Sequence, residues 1–88
     1  MDTTEKSLLK ETKKWLSRLE KKKCEPLGKS KEVREQVTNI RAYISDCKHF
    51  LGKKDYIRAF EAIVYAWGIW ETLENLGLLK KQQRVPRN

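Results

Sequence analysis

Apolar residues in this chain fall into three stripes of helical period, separated by short stretches rich in glycine, proline and charge. In the first, Leu8, Thr12, Trp15 and Leu19 recur at steps of four, three and four, with Leu9 and Leu16 alongside, which is the spacing of one helix face. Asp2-Thr3-Thr4-Glu5 supplies an N-cap and its capping-box glutamate, and Pro26 with Gly28 breaks the helix. In the second stripe, Val33, Val37, Ile40, Ile44, Cys47 and Leu51 keep an unbroken rhythm of fours and threes, flanked by Tyr43 and Phe50. Ser30 suits its N-cap and Gly52 its C′ position. The third runs from Asp55, a cap, to Gly77, with Tyr56, Ala59, Phe60, Ile63, Ala66, Trp67, Trp70 and Leu73 on a wide apolar face.

The pattern predicts helices over about 4–23, 31–51 and 56–76, each roughly 30 Å long. Equal lengths and short connections specify an all-α fold, an up-down-up antiparallel three-helix bundle over residues 1–79. Residues 80–88 read as a basic, flexible tail. No alternating strand pattern or internal repeat competes. Eighty-eight residues suffice for one domain with one core. The charged fraction, 36%, nearly equals the apolar fraction of 39%, a balance that suggests disorder until the patterning and the eight aromatics are weighed.

The apolar run from Ala62 to Trp70 is too short to span a bilayer, and the acidic N-terminal residues lack the apolar block of a signal peptide. A cytoplasmic location without membrane contact is the expectation. The net charge of +8 is unevenly spread. Residues 1–29 carry nine Lys/Arg against five acids, and 30–54 carry six against three. In 55–76 the sign inverts, with Arg58 alone against Asp55, Glu61, Glu71 and Glu74. Lys80, Lys81, Arg84 and Arg87 then follow with no acid. Most of the chain attracts polyanions; the third helix does not.

The segment Tyr43-Ile44-Ser45-Asp46-Cys47-Lys48-His49-Phe50-Leu51, the turn Gly52-Lys53-Lys54-Asp55 with Ala59-Phe60 beyond it, Tyr65-Ala66-Trp67-Gly68 and Leu76-Gly77 together resemble the archaeal domain of unknown function 357 family. That pattern runs Tyr-x-x-Asp-x-x-x-Phe, a Gly-Asp turn with Ala-Phe, Tyr-Ala-x-Gly and a closing Leu-Gly. The likeness covers about residues 40–79. The family pattern continues as Trp-Leu-Asp-Ala after Tyr-Ala-x-Gly, where this chain has Ile69-Trp70-Glu71-Thr72, a departure that weakens any role tied to that aspartate. The resemblance implies a compact helical bundle from an archaeal cytosol. It supplies no substrate, cofactor or active site.

Candidate chemistry is sparse. Cys24 and Cys47 lack metal-ligand spacing, and in a simple hairpin Cys24 lies near the start of the second helix, too far from Cys47 for a disulfide. Cys47 sits in the apolar rhythm and reads as core. His49 is the single histidine; it lies eight residues from Arg41, on a different side of the helix, and reads as a solvated surface residue. Trp15, Trp67 and Trp70 are able to stack on bases, but all three fall on core stripes and read as core volume. No catalytic, cofactor or metal site is expected, and no small-molecule substrate.

Two surfaces remain. Lys6, Lys10, Lys13 and Lys21 line the first helix opposite its leucines, and Arg34, Arg41 and Lys48 repeat every seven residues along the second. A polyanion relieves the repulsion along such rows and releases counterions; the plainer alternative is a solubilising Lys/Glu-rich surface. On the third helix, Ile57, Val64, Tyr65, Gly68 and Thr72, with Glu61 among them, lie on the side away from the core, so that it is nearly apolar all round and calls for a second partner. Gly68 costs about 1 kcal/mol relative to alanine in a helix, which close approach of another backbone offsets. The plainer alternative is that Ile57 and Val64 fill the edge of a wide core. The expected function is a non-enzymatic binding module for RNA, a ribonucleoprotein or an acidic protein. The alternative is a protein–protein adaptor or homodimer that uses the outer face of the third helix.

Overall fold

The computed structural model describes residues 1–81. Three helices, α1 (Thr3–Glu20), α2 (Lys31–Gly52) and α3 (Tyr56–Asn75), form an all-α three-helix bundle. Each start is capped as its sequence implies. The Asp2 carboxylate accepts from the Glu5 N–H at 2.7 Å, the Ser30 hydroxyl from Val33 at 3.3 Å, and the Asp55 carboxylate from Arg58 at 3.2 Å.

The ends hold two departures from the sequence reading. Gly77, with φ of 70°, closes α3 in a Schellman turn, in which Leu78 N–H donates to Leu73 and Gly77 N–H to Glu74. The same turn closes α2, through Asp55 to Phe50 and Lys54 to Leu51, but its left-handed position is Lys54 (φ 61°), not Gly52. Gly52 is the last helical residue, and a side chain added there meets nothing within 4 Å. α1 stops at Glu20, three residues short of the sequence-based boundary. Its last buried residue is Leu19. Beyond that, other parts of the fold claim the backbone of residues 21–30.

This segment is a strap. Trp70 Nε1 donates to the Lys23 carbonyl (3.5 Å), Arg41 Nη2 to the Cys24 carbonyl (3.1 Å), Leu27 N–H to Leu78 (2.8 Å), and Lys80 N–H to Glu25 (2.9 Å). The last two bonds flank Pro26 and Leu79, which face each other as a non-hydrogen-bonded antiparallel pair, so the N–H that proline lacks is not needed. Ordered chain therefore continues past residue 79, and Leu79 is itself 4% exposed. The remainder of the expected tail, with Arg84 and Arg87, lies outside the described residues.

α3 is the centre of the bundle. It contributes six buried residues, Ala59, Ala62, Ile63, Ala66, Trp70 and Leu73, and α2 packs along its length. Three alanines on that side let the two backbones lie close. α1 packs mainly on α3 and reaches α2 sparsely, although it precedes α2 in sequence. The strap makes this possible. It also places Cys24 beside Arg41 in the middle of α2, not at its start as a simple hairpin requires. Thr12, fully buried on α1, satisfies its hydroxyl by donating to the Leu8 carbonyl at 2.7 Å. Among the described residues no helix is long and apolar enough to cross a membrane.

Candidate functional site

The cationic residues divide by what holds them. On α1 and its C-cap, Lys6, Lys10, Lys13 and Lys21 are exposed and make no ion pair among the described residues. They occupy the face opposite Leu16 and Leu19, over about 22 Å of helix. Three acids of this part of the chain are engaged elsewhere, Glu11 with Lys14 at 2.8 Å, Glu20 with Lys48, and Glu25 with Lys80 at 3.4 Å, while Asp2 and Glu5 at the start of α1 make no ion pair among the described residues. The Lys14 hydrogen bond holds the Glu11 carboxyl below its ordinary range, assisted by the Trp15 indole and by Lys10.

On α2 the three expected cations are less available. Lys48 is neutralised by Glu20, Arg41 clamps the strap through Cys24, and Arg34 donates to the Lys29 carbonyl at 3.0 Å. The Lys48–Glu20 pair brings the C-terminal end of α1 against this shoulder, where Lys22 and Lys23 line a cleft with Arg41, while Lys6, Lys10 and Lys13 run away along α1.

The tryptophans form a chain across the α1–α3 contact. Trp15 meets Trp67 edge to face (5.5 Å, 85°), and Trp67 meets Trp70 likewise (5.6 Å, 76°). Trp70 is buried; Trp15 and Trp67 are half-buried. Arg18 and Lys14 lie over the Trp15 ring at 5.0 and 5.2 Å, and Lys22 over Trp70 at 5.2 Å. These cation–ring pairs were not read from the sequence, although the i,i+3 spacing of Trp15 and Arg18 announces one of them. Both cysteines are free. Burial pushes the Cys47 thiol up to about 11, helped by Glu20, and raises Cys24 as well, so neither is a ready thiolate at neutral pH. His49 is exposed and sits edge-on to Phe50.

The outer face of α3 is open. Ile57, Val64 and Tyr65 are 67%, 50% and 60% exposed, and Gly68 and Thr72 are exposed beside them. Ile57 and Val64 therefore do not fill the edge of the core. A Cβ added at Gly68 meets nothing within 4 Å, so among the described residues no neighbouring helix requires a glycine there. Thr72 donates its hydroxyl to the Gly68 carbonyl (2.8 Å), and Tyr65 stacks on Tyr43 of α2 at 5.5 Å. Two apolar clefts meet at Gly68. One, of about 310 Å³, lies toward α1 and is lined by Trp15, Phe60, Val64, Trp67 and Glu71. The other, of about 540 Å³, lies toward α2 beside Tyr65, Ile69, Thr72 and Leu73.

A bundle of three helices with a central α3, a Pro26–Leu79 clasp and a Schellman turn at the C-terminus of both α2 and α3 defines the class of protein. Within that class the chain belongs to the family described as protein of unknown function (DUF357), whose model matches residues 8–79. The match reaches well into α1, beyond the two helices on which the sequence likeness rests. The chain is similar to protein AF1782 from Archaeoglobus fulgidus, known from a crystal structure, with 40% identity and a TM-score of 0.78. That likeness covers 91% of this chain and all of the other. No curated protein matches the chain.

Proposed function

We propose that this protein is a non-enzymatic binding module that presents the lysine row of α1 and the adjoining strap to a polyanion, with RNA as the ligand class. The observation that carries the reading is the division of charge on α1. Glu11, Glu20 and Glu25 are taken up by Lys14, Lys48 and Lys80, which leaves Lys6, Lys10, Lys13 and Lys21 exposed and outside any ion pair among the described residues. A row of that kind gains by releasing counterions from a phosphate backbone and needs no base-specific contact. Two free thiols, neither activated, suit a reducing, cytoplasmic setting.

The test is retention of a labelled single-stranded RNA across a salt series. Affinity is expected to fall linearly on logarithmic axes, by about 0.7 in slope for each phosphate contacted. Lys10→Glu together with Lys13→Glu is expected to abolish retention while leaving helicity intact, because both residues lie off the core. Absence of retention at low salt overturns the reading. Retention that is equal for the double variant places the contact elsewhere and overturns the role of α1.

A further inference from the structure

α3 carries the opposite electrostatic sign from the rest of the chain, and its acids are not engaged. Glu61, Glu71 and Glu74 make no ion pair among the described residues, whereas Asp55 is taken up by Arg58 at 3.5 Å. On a helical wheel Glu61 falls within the exposed face, between Gly68 and Thr72 and two turns before Gly68, and Glu71 falls at its margin beside Val64. Glu71 also lines the cleft that Trp15, Phe60 and Trp67 enclose. The absence of a side chain at Gly68 joins that cleft to the one beside Tyr65 and Leu73, leaving a continuous apolar saddle across α3.

We infer that this saddle docks an amphipathic helix of another protein, one whose apolar stripe is flanked by lysine or arginine. The stripe from Ile57 to Thr72 is about 22 Å long, enough to seat a helix of some four turns. Large apolar side chains of the partner enter the two clefts on either side of Gly68, where its backbone approaches α3. A cation flanking the stripe meets Glu71, another near the end of the partner helix meets Glu61, and a cation at the Trp-lined cleft also faces aromatic rings.

Charge decides against a second copy of this chain. A twofold contact through α3 sets the acidic face against itself. A head-to-tail contact offers α3 the exposed face of α1, which carries Lys6, Lys10, Lys13, Ser17 and Lys21 and no apolar residue to fill a cleft. The inference is independent of the polyanion reading, since the two surfaces share none of these residues.

The experiment uses the full chain and two synthetic helices with one leucine stripe, flanked by lysine in one and by glutamate in the other. The net charge of +8 opposes the lysine peptide overall, so its binding reports a local acidic face. Amide shifts centred on Val64, Tyr65, Gly68 and Thr72 are expected with the lysine peptide, and affinity at least tenfold weaker with the glutamate peptide. Glu61→Lys with Glu71→Lys should reverse that preference. Gly68→Leu, whose Cβ meets no heavy atom within 4 Å, should abolish binding without lowering the melting temperature. Equal affinity for both peptides, or no binding of either, overturns the proposal. So does a dimer in sedimentation that Gly68→Leu dissociates, which assigns the saddle to a second copy.

Discussion

Trp67 donates its indole N–H to the main-chain carbonyl of Trp15, 2.9 Å away and 52 residues earlier. This bond, with the edge-to-face contact of the same two rings, fastens α1 to α3. Trp67→Phe removes the donor and part of the ring, and is expected to lower stability by about 1 to 3 kcal/mol. Urea unfolding followed by circular dichroism measures it. The carbonyl keeps its place in the α1 helix, so the fold should survive.

The α2–α3 turn is improvable in two places. Lys54 occupies a left-handed conformation that glycine adopts without strain, and Lys54→Gly should stabilise by about 1 kcal/mol. Gly52 is helical with open space around its Cα, so Gly52→Ala should add about 0.5 to 1 kcal/mol. Thermal melts of the single variants and their combination check both.

Salt dependence separates the lysines. Lys10→Ala removes a charge held in no ion pair and should lower the slope of RNA affinity against salt by about 0.7. Lys48 is already neutralised by Glu20, so Lys48→Ala should leave the slope nearly unchanged and cost at most about 1 kcal/mol of stability. Slopes that fall equally for both variants contradict the division of charge described above.

Cys47 links stability to alkaline pH. Its thiol has an ordinary value of 9.0 and is pushed up to about 11 in the fold. Below pH 9 the thiol is protonated in both states and the contribution is fully present. Between 9 and 11 the unfolded chain loses the proton and the folded chain keeps it, so stability falls as pH rises. Cys47→Ala starts less stable because it leaves a cavity, and its deficit should narrow over that interval. Chemical denaturation at pH 8, 9, 10 and 11 follows the gap.

Much of this was legible in the chain. Asp2, Ser30 and Asp55 cap their helices for local reasons, and the fours and threes from Val33 to Leu51 mark a buried face whatever the neighbours are. What local pattern does not carry is the route between elements. Gly52 resembled the C′ residue because glycine favours that conformation, yet the carbonyls that close the turn are those of Phe50 and Leu51, and they put Lys54 there. Lys48 fell in step with Arg34 and Arg41, and only the path of the strap shows that Glu20 reaches it. The lysine row of α1 was readable because exposure follows directly from its place opposite the leucines. Gly68 was ambiguous, since a helical glycine serves close packing inside a fold as well as outside one.

The fastening of α1 to α3, in preference to its sequence neighbour, has a kinetic meaning. α2 and α3 are joined by a tight turn, so their contacts close short loops, whereas Trp15–Trp67 and Pro26–Leu79 each close a loop of more than fifty residues. Loop closure of that length carries a larger entropic cost, and contacts of high sequence separation form late. The α2–α3 hairpin is thus expected to be the folding nucleus, with α1 docking onto it afterwards and leaving it first. Hydrogen exchange in the native state should show α1 amides opening at a lower free energy than those of α2 and α3, as a separate cooperative unit.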